Sequence, residues 1–294
     1  VTRKVPIVVG IGEVLWDRFP QGDLLGGAPA NFAFHAGQLG AAGRIVSRLG
    51  RDADGDRLAA ELSAQGVSID YLQRDDKFPT GTVLVQLKDG QPSYEISTPV
   101  AWDYLEWTPQ LEELARQTDG VSFGTLSQRN AASRATIQTF LQHTPRNTVR
   151  LFDINLRQSF WSREVIEEGL KQTTVLKLNE HELPMLSKLL GTADDGRKFS
   201  AQMRSDYGIQ TVALTLGEQG CVLYGNGEEI ISKPPPIEFK DAVGAGDAFS
   251  AALMLGLLRG DSLRDIADRA NRVGAYVASQ AGAMPKLPGT FVTL

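Results

Sequence analysis

The stretch Asp241-Ala242-Val243-Gly244-Ala245-Gly246-Asp247-Ala248-Phe249 places two glycines and two small residues directly before an acid, and an almost wholly apolar run to Leu258 follows. A loop without bulky side chains lets backbone N–H groups converge on one point, and the positive end of a helix dipole adds to them. That arrangement suits an anion. Asp247 stands at its edge, where a general base for a phosphate-accepting hydroxyl would stand. The same residues also read as an ordinary helix entrance capped by Asp247, and composition alone leaves both readings open. A Walker A loop is excluded, because no Gly-Lys-Ser/Thr follows at the required spacing. The dinucleotide fingerprint is incomplete in both places where it starts. Phe249 takes the third glycine's position here, and Gly10-Ile11-Gly12 lacks it and carries Glu13, which would repel a phosphate.

Four further clusters carry polar chemistry. In Leu25-Gly26-Gly27-Ala28-Pro29-Ala30-Asn31 the glycines permit close backbone approach to a ligand, and Asn31 can donate to and accept from a hydroxyl. The competing reading is a turn with Asn31 as N-cap of the next helix. Asp153-Ile154-Asn155-Leu156-Arg157 ends an apolar strand, and ligands of open α/β sheets bind beyond the carboxyl ends of the strands. A carboxylate, an amide and a guanidinium there suit a polyol or a phosphate; an Asx turn is the alternative. Asn179-Glu180-His181-Glu182 has the spacing of a capping box, or of outer ligands that reach a nucleotide's Mg²⁺ through water. Thr215-Leu216-Gly217-Glu218-Gln219-Gly220 is a strand end that lines a nucleotide groove or merely turns the chain.

These clusters need a frame. Val5 to Ile11, Gly43 to Leu49, Gly120 to Phe123, Thr148 to Ile154, Thr174 to Leu178 and Thr211 to Leu216 read as strands. Helical stretches, among them Asn31 to Leu39 and Gly55 to Gln65, lie between most of them. The alternation predicts a parallel sheet with helices on both faces. Thr82 to Leu87 breaks it, with Val83, Val85 and Leu87 on one face, Asp89-Gly90 as a hairpin turn signal, and Tyr94 and Ile96 on a return strand. An inserted antiparallel hairpin with one apolar face wants something to cover: a substrate or a second subunit. Glu13 to Leu25 is expected to supply partner strands, which would build the appendage from two separated segments.

The chain has 294 residues, enough for one large α/β domain or a domain with a small appendage, and its 42% hydrophobic content is ample for a core. A net charge of −5 argues against a nucleic-acid face. The single cysteine, Cys221, cannot form an internal disulfide, which fits a reducing compartment. The three histidines, at 35, 143 and 181, have no metal-ligand spacing. Gly10, Gly12 and Glu13 interrupt the first apolar run, which argues against a signal peptide, and no run reaches the ~20 residues needed to cross a bilayer. A cytoplasmic protein without a membrane partner is the expectation.

Taken together, these segments resemble the ribokinase/PfkB family of carbohydrate kinases, along the whole chain and in the right order. Gly26 to Asn31, with Gly40, Gly50, Asp52 and Gly55 downstream, matches the family's first signature, and Asp241 to Asp247 its second. The chain departs from the usual pattern at Ala242, where most members have Thr. The resemblance implies a ribokinase-like α/β fold: a doubly wound, mostly parallel sheet with helices on both faces and a small β lid, from segments about 13–30 and 78–103, within one domain over 1–294. It implies Asp247 as base, ionised by its place at a helix N-terminus, with the N–H groups of Gly244, Ala245 and Gly246 as the anion hole. Asp17, Gly27 and Asn31 would bind sugar hydroxyls. Asn179 and Glu182 would act on Mg²⁺ and phosphate, with Glu182 reaching the metal through water. Thr215, Gly217, Gly220, Asn271 and Gly282 would flank the nucleotide, while Asp241 and the carbonyl of Val243 would hold a monovalent cation such as K⁺. ATP and Mg²⁺ are the implied cofactors, a sugar the other ligand, and a homodimer through the lid a further implication. Gly-Glu-Val-Leu-Trp-Asp, Ala-Pro-Ala-Asn and Ser127-Gln128-Arg129 resemble bacterial fructokinases most. Gln128, Arg129, Asp153, Asn155 and Arg157 would then face the sugar. Two arginines would also suit an acidic sugar such as 2-keto-3-deoxygluconate. A non-catalytic sugar-binding regulator on the same fold and a nicotinamide-dependent oxidoreductase are the competing classes.

Overall fold

A computed structural model describes residues 4–88 and 91–292. In chain order its strands are β1 (Ile7–Ile11), β2 (Leu15–Phe19), β3 (Gly22–Gly26), β4 (Ala42–Gly50), β5 (Leu72–Asp75), β6 (Gly81–Lys88), β7 (Gln91–Ile96), β8 (Gly120–Phe123), β9 (Val149–Asp153), β10 (Val175–Asn179), β11 (Thr211–Thr215), β12 (Cys221–Gly225) and β13 (Glu228–Ser232). The helices are α1 (Ala28–Gln38), α2 (Ala53–Ala64), α3 (Pro109–Gln117), α4 (Ala131–His143), α5 (Arg163–Gln172), α6 (Glu182–Leu190), α7 (Gly196–Tyr207), α8 (Ala245–Arg259), α9 (Leu263–Ala278) and α10 (Gly289–Val292).

Nine strands form one sheet in the order β13-β12-β11-β10-β9-β8-β1-β4-β5, parallel from β11 to β5. Successive side chains of a strand point to opposite faces, so each central strand feeds two cores. Leu176 and Leu178 of β10 join Phe152, Val212 and the apolar stripes of α3 to α7 on one face. Val175 joins Leu151, Ala213 and the apolar residues of α1, α8 and α9 on the other. Burial on both faces is why these strands read as nearly unbroken apolar runs.

The remaining strands make a four-stranded sheet, β3-β2-β6-β7, from the two separated segments that the sequence pattern anticipates. Leu15, Val83 and Ile96 cover Val100, Trp102 and Leu126 beside it, which gives the lid its own small core. Asp89-Gly90, the expected turn of the β6–β7 hairpin, lies outside the described residues.

One expectation is corrected, and one element has no counterpart in the sequence pattern. α1 begins three residues before Asn31, with Gly27 as N-cap and Pro29 in the first turn, so Asn31 faces inward from the helix instead of capping it. The parallel sheet also ends in an antiparallel hairpin, β12–β13. Its turn is Asn226-Gly227, both at positive φ (51° and 81°), the left-handed pair that a tight two-residue hairpin requires.

Candidate active site

The amino ends of α1 and α8 meet above the carboxyl ends of the central strands. Each begins on a glycine whose conformation an ordinary residue would not adopt: Gly27 at φ 113° and Gly244 at φ 78°. There is also no room for a side chain. A Cβ on Gly27 would lie 2.5 Å from the Glu13 carbonyl oxygen, and one on Gly244 2.5 Å from that of Ala283. Both helices therefore start against neighbouring backbone, and their first turns face each other. The consequence is a direct bond: the Asn31 amide donates to Asp247 Oδ2 at 2.8 Å, across 216 residues of sequence.

A second layer lies beneath. Lys177 shares the pleat face of Val175 and so points toward α8 rather than into the core of α3 to α7. Its Nζ donates to Asp153 Oδ2 at 2.7 Å, and the Ser250 hydroxyl donates to the same oxygen at 3.2 Å. Burial works against the Lys177 ammonium, but Asp153, Asp247 and Glu182 outweigh it and raise its pKa. A Cβ on Gly246 would lie 3.4 Å from that ammonium, so the small-residue turn rests directly over a buried cation. First-turn N–H groups of a helix have no acceptor within it. Gly246 and Asp247 thus present donors above Lys177, an environment that fits a polyphosphate. Ala245 is turned differently, with its N–H directed back to the Ala242 carbonyl at 3.3 Å. Lys177 was not among the residues expected here; its signal is a lone cation inside the apolar run Val175 to Leu178.

Asp247 keeps the ionised state expected at neutral pH, but with a higher proton affinity than a helix entrance alone would give. Burial and the neighbouring Asp153 push its pKa up to about 6, against the pull of the Asn31 amide, Lys177 and Arg157. A helix N-terminus favours the anion, but enclosure wins. Burial likewise raises Asp17 on β2 to about 6, with Arg157 opposing it, and Glu13 to about 7. Three acids with raised pKa values in one cleft are the mark of a site built for proton transfer.

The other expected residues divide. On the loop after β9, Asn155 (φ 41°) is half-buried and lines the same cavity as Asp247, whereas Arg157 is exposed at the mouth of the cleft. Asp153, expected to meet a sugar, is instead the buried partner of Lys177. Gln128 is buried, with its amide donating to the Gly124 carbonyl and accepting from Gln138, both at 2.8 Å; it braces the wall. Arg129 is bidentate to Asp103 (2.7 and 2.8 Å), donates to the Ser97 carbonyl, and lies between the rings of Trp102 and Phe160. That guanidinium anchors the lid to the body, which leaves Arg157 as the cation at the mouth.

On the nucleotide side, Asn179 and Glu182 form the reciprocal pair that their spacing suggests: Asn179 Oδ1 accepts from the Glu182 N–H, and Glu182 Oε2 accepts from the Asn179 N–H. Glu182 Oε1 accepts from Leu156. Each carboxylate oxygen accepts one backbone bond and keeps a second lone pair, with which Glu182 could hold a metal-bound water. Thr215 donates weakly to the Leu178 carbonyl at 3.4 Å, and Gly217 and Gly220 shape the short turn between β11 and β12. Asn271 is corrected: its amide donates to Ser232 O and Oγ (2.9 and 3.0 Å) and pins α9 to the edge strand β13. Asp241 accepts from the N–H of Val243 at 3.0 Å and of Gly282 at 3.3 Å, which ties the loop before α8 to the loop after α9.

The chain as a whole has counterparts among known proteins. The model of the pfkB family carbohydrate kinases matches residues 23–289. A fructokinase of Escherichia coli is 32% identical, over 95% of this chain and 95% of its own. An uncharacterized sugar kinase of Pyrococcus horikoshii, solved in complex with ATP, is 28% identical with a TM-score of 0.78, covering 95% of this chain and 94% of that one. A fructokinase of Xylella fastidiosa with bound ATP has a TM-score of 0.86 at 22% identity, over 98% and 97% of the two chains.

Proposed function

The chain belongs to the pfkB family of carbohydrate kinases, and from that premise we propose that it transfers the γ-phosphoryl group of ATP to a hydroxyl of a ketose, with fructose preferred. One observation carries the reading: an enclosed carboxylate, Asp247, held by Asn31 at the rim of a small-residue turn that lies over a buried ammonium. Asp247 is the base. It orients the attacking hydroxyl and takes its proton late, as a loose phosphoryl transition state requires. ATP supplies the phosphoryl group, and Mg²⁺ neutralises the other phosphate charges. Lys177 and the first-turn N–H groups of α8 stabilise the charge that develops on the transferred group. Glu182 orients metal-bound water, Asp241 with the Val243 carbonyl holds a monovalent cation, and Asp17 and Arg157 position the sugar. Closure of the lid excludes water. Leu24 and Leu84 on the lid are exposed apolar residues and support pairing of two copies there. Among the described residues, no helix is long and apolar enough to cross a membrane.

Fructose is preferred over 2-keto-3-deoxygluconate because Arg129 is already paired with Asp103, which leaves one arginine rather than two for an acidic sugar. The complete base-and-turn arrangement disfavours the non-catalytic regulator, and the two incomplete glycine motifs disfavour a nicotinamide enzyme. A panel of neutral and acidic ketoses with ATP, Mg²⁺ and K⁺ tests this. The highest kcat/KM is expected on fructose; preference for an acidic ketose would overturn the assignment, and no phosphorylated sugar at all would overturn the activity.

The base should also show itself in pH dependence. With its pKa near 6, Asp247 loses its accepting form as the pH falls through that value. The acid limb of kcat/KM should therefore have its midpoint near pH 6. A midpoint near pH 4, the ordinary carboxylate range, would mean that the base is solvated.

A further inference from the structure

Glu13 has no part in the chemistry above, yet it is one of the least solvated acids in the molecule. It lies between β1 and β2, almost wholly buried, and its Oε2 has no hydrogen-bond partner. The Ser127 hydroxyl, with no other partner, stands beside it and pulls its proton affinity down. Glu13 lines a cavity of about 20 Å³ together with Asp247, Asp153, Asn155 and Ser250. That is room for one water. Pro29, Phe32 and Phe123 make much of the wall apolar, but Glu13, Asp247, Asp153 and Asn155 also line it and offer a water its partners, the orphaned Glu13 oxygen among them.

We propose that Glu13 is the relay residue of the reaction: through one water in this cavity it takes from Asp247 the proton that the sugar hydroxyl gives up. The inference rests on the kinase reading. The sugar O–H bond breaks as its oxygen bonds to phosphorus, and the bond from phosphorus to the departing ADP oxygen breaks. The proton passes to Asp247, then to the water, which hands one of its own protons to Glu13 Oε2. Asp247 is ionised again, and the proton returns to solvent when the cleft opens. No electron is transferred, and ATP is the only co-reactant.

The proton affinities of the two acids are both raised and lie close together, so a proton can pass between them. Burial and the charge of Asp247 push Glu13 to about 7, while Asp247 itself lies near 6. Around the pair stand Arg157 after β9, Asp153 on β9 and Lys177 on β10, and Asp17 on β2 faces the same Arg157. Arg157 favours the ionised form of both members, and Lys177 that of Asp247.

Glu13→Gln keeps the volume and removes the proton site. Its kcat should fall roughly tenfold at neutral pH with KM for sugar and ATP within about twofold, and the acid limb of its kcat should lie near pH 6, because the group with the higher proton affinity no longer has to be ionised. Glu13→Asp should recover part of kcat. A kcat and pH profile superimposable on the parent would overturn the relay, and so would a raised KM with unchanged kcat, which would make Glu13 a sugar contact. A titration independent of turnover supports the pair separately. In protein carrying ¹³C-labelled glutamate, the resonance absent from Glu13→Gln should titrate near pH 7 and fall in Asp247→Asn; an ordinary midpoint, unaffected by Asp247→Asn, overturns the coupling. Turnover in the parent with an unaltered Glu13→Gln removes the relay alone, whereas no turnover in the parent removes the kinase reading with it.

Discussion

Asp247→Asn is expected to lower kcat by about 10²- to 10⁴-fold while leaving the affinities for sugar and ATP nearly unchanged. The amide keeps the shape of the side chain and can still meet Asn31, but it cannot accept the hydroxyl proton. The small-residue turn and Lys177 remain in place, so ATP should still bind. The same variant should be at least as stable as the parent at pH 7.5. A carboxyl whose folded pKa of about 6 lies above its ordinary value of 3.8 binds more protons in the folded state between those values. Its stabilising contribution is full below about pH 4 and is lost as the pH rises through 6. Removing it therefore relieves a burden at neutral pH, and the advantage should shrink toward pH 5. Steady-state kinetics and thermal unfolding at the two pH values check both halves. Turnover near that of the parent would take Asp247 out of the role of base, and a sharp loss of stability at pH 7.5 would mean that the carboxylate is structural.

Lys177→Met is expected to have the larger effect on stability. It leaves Asp153 enclosed, with Asp247 and Glu182 close by and no cation under the turn. Breaking a buried pair by removing one partner costs about 3–5 kcal/mol. The loss should ease under acid, because carboxylates stranded by the substitution protonate as the pH falls. Adding Asp153→Asn should restore much of the stability at neutral pH but not the activity, since the phosphoryl group still lacks its cation. Denaturation midpoints of the single and double variants at pH 5.5 and 7.5 decide this. Parent-like midpoints for the single variant at both pH values would mean that Lys177 neutralises nothing that matters.

Six strands of the main sheet, β1, β4, β8, β9, β10 and β11, were legible in the sequence because burial on both faces leaves a nearly unbroken apolar run, whereas the short edge strand β5 has none. The anion turn was only half legible: small residues before an acid suit an anion site or an ordinary helix entrance, and the resemblance at Gly26 to Asn31 decided between them. The Asn31–Asp247 bond was not, since it exists only once two helices from opposite ends of the chain pack together. Arg129 shows the same limit: sequence reveals a cation near the sugar side, but only the fold reveals that Asp103, Trp102 and Phe160 already surround it. Asp247 needed both sources. Its position at a helix entrance argues for an ordinary anion, and only its burial beside Asp153 shows that the proton affinity rises. The β12–β13 hairpin and Lys177 are different, because Asn226-Gly227 and a lysine among leucines are visible signals, each too short to outweigh the pattern around it.

The central claim is that this cleft passes the γ-phosphoryl group of ATP to a ketose hydroxyl. Following ³¹P resonances while the purified protein turns over ATP with fructose, Mg²⁺ and K⁺ tests it most directly. The account predicts a sugar phosphate ester that grows in step with ADP, with little free phosphate. ADP and inorganic phosphate without an ester, or ATP left intact with every ketose offered, would contradict it.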